Sequence, residues 1–290
     1  MNPIQDSELV LAPDGSLYHI RLTGEMIADD IFLVGDPDRV QMFRDIFDTV
    51  EYTTHNREIN AVTGVYNGHR FTALSTGMGT DNIDIIMSEL DAAANIDLQH
   101  RTIKSSHRTL NLIRIGTCGS ISPDIKTGEL VASKYAIGLD GLINYYEHDE
   151  ALFETGLNEA FIRSLELSTL YAKPYAAQCS NALLEKIGYD MHQGITITAP
   201  GFYAPQGRAL RIAPAITDLN QKLSTFSWNG LHATNLEMET SAIYGLSRIM
   251  QHNALTVCLV IANRTDGTFI NDYHDLMRAT IQKIMNRLAQ

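Results

Sequence analysis

The sequence is short of cysteine, of positive charge and of long apolar runs, and each shortage excludes something. Its three cysteines (Cys118, Cys179, Cys258) cannot form a paired framework and have no metal-ligand spacing. That usage fits a reducing, cytoplasmic setting. Lys and Arg number 22 against 34 Asp and Glu, a formal charge of −12, and no basic block occurs. A nucleic-acid binder needs a basic face to displace phosphate counterions, so that class is excluded. The longest apolar run, Ala254 to Ala262, is broken only by Thr256. It is too short to span a bilayer and predicts a buried strand. The opening MNPIQDSELVLAPDG has no basic start followed by an apolar stretch, so no secretion signal is expected. There is no internal repeat, low-complexity segment or Pro/Gly/Ser linker, and residues 1–290 read as one domain. With 44 % hydrophobic and 19 % charged residues, the chain has a globular balance.

What is present is an alternation. Short β-branched runs at Ile31–Val34, Phe71–Ser75, Leu112–Ile115, Leu130–Ser133, Ile195–Thr198 and Thr256–Ala262 predict strands, several of them central. Helical spacing recurs at Ile83/Ile86/Met87/Leu90 and at Phe153/Leu157/Phe161/Leu165. It recurs again at Met238/Ala242/Leu246/Ile249 and at Met277/Ile281/Ile284/Leu288. The expected class is α/β, a mixed or parallel sheet with helices on both faces. The polar stretch Gln99–Thr109 reads as a surface loop whose basic residues are a solvated turn.

Candidate chemistry gathers at strand ends. Gly35-Asp36-Pro37-Asp38-Arg39 follows the first strand; it suits either a plain turn or a phosphate-binding arginine beside a glycine. Ser75-Thr76-Gly77-Met78-Gly79-Thr80 places glycines before a helix start, where backbone N–H groups favour an anion. It lacks the third glycine of a dinucleotide fingerprint and the Gly-Lys-Ser/Thr of a Walker loop. In Arg114-Ile115-Gly116-Thr117-Cys118-Gly119, an arginine inside an apolar strand needs an anion, either a ligand or an internal carboxylate. Cys118 has no evident base and reads as a buried thiol. Gly201-Phe202-Tyr203-Ala204-Pro205-Gln206-Gly207-Arg208 joins an aromatic, an amide and a guanidinium, suited to a planar lactam or to an exposed loop. Glu237 and Glu239 in Asn235-Leu236-Glu237-Met238-Glu239-Thr240 share a side only if the chain is still extended there. Asn263-Arg264-Thr265-Asp266-Gly267 ends the most apolar strand.

Taken in order, from about His19 to Asp266, these motifs resemble the nucleoside phosphorylase superfamily and, through Phe-Tyr…Gln-x-Arg, its uridine phosphorylase branch. The resemblance implies a central mixed, partly barrel-like sheet flanked by helices. It implies a pentosyltransferase that reversibly converts uridine and phosphate to uracil and ribose 1-phosphate. A purine nucleoside phosphorylase or a nucleosidase of the same fold is the alternative, and a non-catalytic nucleoside-binding protein a more distant one. It implies a phosphate site from Gly35, Arg39, Arg114 and Thr117, with Arg57 lent by a neighbouring subunit. It implies a ribose site from Glu237, Met238 and Glu239, with His19 crossing the same interface. The base site it implies comprises Phe202, Gln206, Arg208 and Arg264, with Cys118, Gly119 and Ile261 beside them. Arg208, Gln206, Arg114 and Glu239 would carry catalysis. Phosphate is a co-substrate, and no cofactor, metal, nucleic acid or membrane is implied. A potassium site is doubtful, because Asn82 stands where the hexameric members carry serine, although Glu58 is present. The long Gln99–Thr109 segment favours a homodimer with shared sites over a hexamer.

Overall fold

The computed structural model describes residues 3–166 and 172–290. Its elements run β1 (Asp30–Val34), α1 (Pro37–Ile46), β2 (Thr49–Asn56), β3 (Ile59–Tyr66), β4 (His69–Ser75) and α2 (Thr80–Asn95). The short pair β5 (Ile96–Asp97) and β6 (Thr102–Ile103) precedes β7 (Asn111–Ser120) and β8 (Leu130–Gly138). Then come α3 (Thr155–Leu165), β9 (Tyr175–Gln178), α4 (Asn181–Ile187), β10 (His192–Thr198), α5 (Leu219–Thr225), β11 (Ser227–Trp228) and β12 (Leu231–Glu237). The chain ends with α6 (Thr240–Ile249), β13 (Asn253–Asn263) and α7 (His274–Leu288).

Eleven strands form one mixed sheet in the order β11-β12-β10-β8-β13-β7-β1-β4-β3-β2, with β9 on β8. An added antiparallel pairing, Asn235 with Ser120 and Leu236 with Gly119, joins β12 back to β7 and closes part of the sheet. The α/β class and the partly barrel-like form therefore stand. β1, β4, β7 and β13 run parallel, and their ends open on one side. The closing pair brings the end of β12 to the end of β7. Strand ends from both halves thus reach one place.

Burial explains the continuous apolar runs. All of β1 is buried, and Leu112 to Gly116 of β7 is covered on both faces. α6 lies inside, with Thr240 to Ser247 all buried. Its small residues allow this, since a Cβ on Gly245 would lie 2.6 Å from Ile143. α7 follows the predicted periodicity, burying Met277, Ile281, Ile284 and Leu288. A second cluster forms where α3 and α5 cover the β10–β12 side, with the Phe161 and Phe226 rings 5.3 Å apart. Among the described residues, no helix is long and apolar enough to cross a membrane.

The Gln99–Thr109 segment departs from its reading. Thr102 and Ile103 pair with β5, and the basic residues are not merely solvated. Arg101 donates from Nε to the Ile4 carbonyl at 2.9 Å and from Nη2 to those of Gln5 and Leu9. Arg108 donates to the Gly24 and Ile27 carbonyls at 2.7 and 2.9 Å and pairs with Asp29. These carbonyls belong to an N-terminal stretch outside the helices and strands of the fold, which makes it the favourable placement for two forked donors.

Candidate active site

Strand ends surround a cleft of about 700 Å³. The β1 end leads into α1, whose start is capped by the Asp36 side chain accepting from Asp38 N–H, with Pro37 in the first turn. That cap turns the Gly35–Arg39 segment into a helix start rather than an isolated turn. Arg39, in the first helical turn, is buried yet lines the cleft. Gly35 packs closely beside the β4 end, its absent Cβ 3.4 Å from the Gly77 carbonyl.

Arg114 lies inside β7, and its guanidinium folds back along the strand. A Cβ on Gly116 would collide with it, so the glycine two residues on makes the room. The cation meets two carboxylates, pairing tightly with Glu239 and lying 3.5 Å from Glu237. Glu237 is the last residue of β12, and the backbone at Glu239 is not yet helical. Both carboxylates therefore reach one side, as the extended alternative required. Thr198 Oγ1 and the backbone N–H groups of residues 239 and 240 donate to Glu237, fixing its orientation. Glu239 also accepts from Gly79 N–H at 2.7 Å. The start of α2 thus receives an anion, and it is the protein's own carboxylate. Burial, with Glu237 close by, raises the proton affinity of Glu239 despite Arg114. Burial would lower that of Arg114, but Glu239 and Glu237 outweigh it and hold the guanidinium charged.

A different chemistry occupies the segment after β10. A one-turn helix, Ala204–Gln206, ends at Gly207, whose φ of +67° suits glycine. Arg208 donates to the Gln206 side-chain oxygen at 2.5 Å and to the Phe202 carbonyl at 2.6 Å. Its guanidinium lies 3.8 Å from the Phe202 ring centroid. Arg264, at the end of β13, donates to the Gln206 carbonyl at 3.2 Å. Burial and then the Arg264 charge lower the proton affinity of Arg208, and burial lowers that of Arg264. Among the described residues, neither forms a salt bridge with a carboxylate. A register shift between Val260 and Ala262 marks a bulge in β13, and both Ile261 and Ala262 line the cleft.

Gly35, Arg39, Arg114, Thr117, Cys118, Gly119, Phe202, Gln206, Arg208, Glu237, Met238, Glu239 and Ile261 therefore share one cavity. Arg264 stands behind it, reaching Gln206. Burial, then Cys258, pushes the Cys118 thiol well above its ordinary value, which keeps it protonated and inert. Met78 and Phe269 also line the cleft, and no motif reading singles them out. Met78 falls within a motif notable only for its glycines, and Phe269 lies beyond the last motif, brought in by its bridge to Ala262. Glu58 and Asn82 line it too.

Arg57 and His19 do not line this cleft. Arg57 is at the tip of the β2–β3 hairpin with φ +55°, its guanidinium 5.9 Å from the Tyr18 ring centre. His19 Nδ1 lies 2.6 Å from Glu89, and Asn56 binds the carbonyls of Tyr18 and His19. The two residues share one outward knot.

Among the described residues, one trio, Asp91, His107 and His252, has metal-ligand spacing. None of the three lines the cleft. Leu110 N–H donates to His252 Nδ1 at 3.2 Å, which places the neutral ring's proton on Nε2. That nitrogen, 3.2 Å from Asp91, then has no lone pair to offer a metal.

Comparison with known proteins adds the lineage. A family model described as the phosphorylase superfamily matches residues 30–290. A uridine phosphorylase of Thermococcus kodakarensis is 30 % identical over 262 residues, covering 88 % of this chain and 80 % of that one. A DeoD-type purine nucleoside phosphorylase of Colwellia psychrerythraea is 25 % identical over 274 residues, covering 92 % and 98 %. A crystal structure of a Trypanosoma brucei nucleoside phosphorylase that shows uridine phosphorylase activity superposes with a TM-score of 0.83. It is 26 % identical, covering 97 % of this chain and 98 % of that one.

Proposed function

The chain belongs to the phosphorylase superfamily, and from that membership we propose that it catalyses the reversible phosphorolysis of uridine to uracil and ribose 1-phosphate. The observation that carries the base assignment is the pair Arg208 and Arg264 beside Gln206, half-buried cations with no carboxylate partner among the described residues. Such a pair suits a ring that departs as an anion.

Phosphate is already anionic and needs no base to become a nucleophile, so the protein's task is placement of charge. Arg39 and Arg114, with Gly35 and Thr117, hold it below the anomeric carbon. The sugar gains oxocarbenium character as the glycosidic bond breaks, and the anion beneath stabilises it. Glu237, Met238 and Glu239 orient the ribose. Phosphate takes Arg114 from Glu239, and the released carboxylate accepts from the ribose hydroxyls. Arg208 and Gln206 bind the departing uracil anion more strongly than the neutral base, and that difference alone speeds the step. Phe202, Cys118, Gly119 and Ile261 form the apolar wall, and Arg264 holds the base-reading turn.

A second copy completes the site, donating Arg57 to the phosphate and His19 to the ribose, and a homodimer is the assembly we favour. Both residues lie in a single outward knot, supporting a joint role across an interface. No cofactor or metal enters the reaction. Three free, buried thiols support a cytoplasmic location.

The DeoD-type relatives support a second reading, phosphorolysis of purine nucleosides. A uracil-release assay decides. Uridine with phosphate or arsenate should yield uracil, and uridine alone should not. Turnover of inosine in place of uridine would establish the purine reading. Release without phosphate would mean a hydrolase, and tight uridine binding without release a binding protein.

A further inference from the structure

The residue that ties Arg264 to the turn carrying Arg208 is Asn220, in the first turn of α5 and outside every motif discussed above. Its amide orientation follows from its neighbours. The nitrogen faces the Gln206 carbonyl at 3.3 Å, and the oxygen accepts from Arg264 Nη2 at 3.0 Å. Arg264 Nη1 donates to the same Gln206 carbonyl at 3.2 Å. The three residues thus close a ring: α5 to the base-reading turn, the turn to Arg264, Arg264 back to α5. Space is tight as well. A Cβ on Gly207 would lie 2.9 Å from the Asn220 amide, so the turn is pressed against this side chain.

We propose that Asn220 is a positioning residue for the leaving group, holding the Gln206–Arg208 turn and Arg264 in register. The inference rests on the uridine reading above. Asn220 does not line the cleft. It acts on Gln206 and Arg208 through the carbonyl between them. Without its amide the Gln206 carbonyl keeps one side-chain donor, and Arg264 loses the acceptor that fixes its second nitrogen. The turn can then drift, and donors aimed at a developing anion lose value steeply with misplacement.

The test compares wild type, Asn220→Ala and Asn220→Asp on uridine and on 5-fluorouridine, whose base is more acidic and needs less help to leave. For Asn220→Ala we expect kcat/KM on uridine to fall about tenfold, KM for phosphate to stay within twofold, and the loss on 5-fluorouridine to be about threefold or less. Asn220→Asp keeps the acceptor for Arg264, loses the donor and adds negative charge; its loss on uridine should be at least as large. A merely structural role would depress both nucleosides equally. Equal losses, or uridine rates within twofold of wild type in either variant, would overturn the inference. Wild-type protein that releases no uracil from uridine would instead bring down the functional reading.

Discussion

Replacing Arg114 with methionine tests the charge arrangement at its centre. The side chains of Arg114, Glu237 and Glu239 are only 6, 1 and 6 % exposed. Arg114→Met leaves two carboxylates with no cation among them, and orphaning a buried charge costs about 3–5 kcal/mol. At this chain length a kilocalorie moves the melting point by about 2 °C, so a fall of roughly 6–10 °C is expected. Adding Glu239→Gln removes one of the stranded charges and should recover part of that loss, a non-additivity that two independent sites would not show. Phosphate supplies the functional arm. At a hundred times its dissociation constant it should stabilise the wild type by ~2.7 kcal/mol, about 5 °C, and Arg114→Met by less than about 1 °C. Thermal melts of the three proteins with and without phosphate measure all of this. A single variant melting within 2 °C or so of wild type would refute the buried-pair reasoning. Equal phosphate stabilisation in wild type and variant would refute the anion assignment.

Arg208→Ala should lose about 10²–10³ in kcat for uridine, the worth of one donor to a developing anion; full turnover would remove Arg208 from the base site. A subunit carrying His19→Ala or Arg57→Ala, mixed with one carrying Arg114→Ala, should regain activity in verified mixed oligomers, because one intact shared site forms. No regain would count against sharing. Asp140 is held by Leu142 N–H, Tyr175 and Ser241, and burial raises its carboxyl's proton affinity. The native state therefore keeps that proton to higher pH than the unfolded chain, so its contribution is complete below about pH 4 and is lost as pH rises through the native value. The Asp140→Asn variant carries a side chain that does not titrate, so as pH rises from about 4 to neutrality its melting point should lose this contribution less than that of wild type; parallel curves would refute the assignment.

Most of the sheet was legible because both-face burial writes continuous apolar runs, as in β1 and β13. The hairpin β2–β3 was not. β2 is an edge strand whose residues are mostly exposed, so no hydrophobic pattern marks it. α1 was hidden inside a motif that reads equally well as a turn, because Asp-Pro both caps helices and makes turns. The extended state at Glu237 decides whether two carboxylates share a side, and only the strand boundary reveals it. From sequence the partner of Arg114 can be either a ligand or a carboxylate; the fold brings two of the protein's own carboxylates to it. Asn220 carried no signal at all, since its role depends on a contact between α5 and a turn twelve or more residues earlier.

The arginine clasp of the 99–109 segment has a consequence for inheritance. Arg101 and Arg108 grip the strand-less stretch from Ile4 to Ile27 at both ends, and that stretch carries Tyr18 and His19. Shortening the segment would loosen the leash on His19, the histidine proposed above to reach a neighbouring molecule. Under the shared-site proposal, segment length and the second copy's site geometry change together, so a deletion remote from any substrate in its own chain would be felt across the interface.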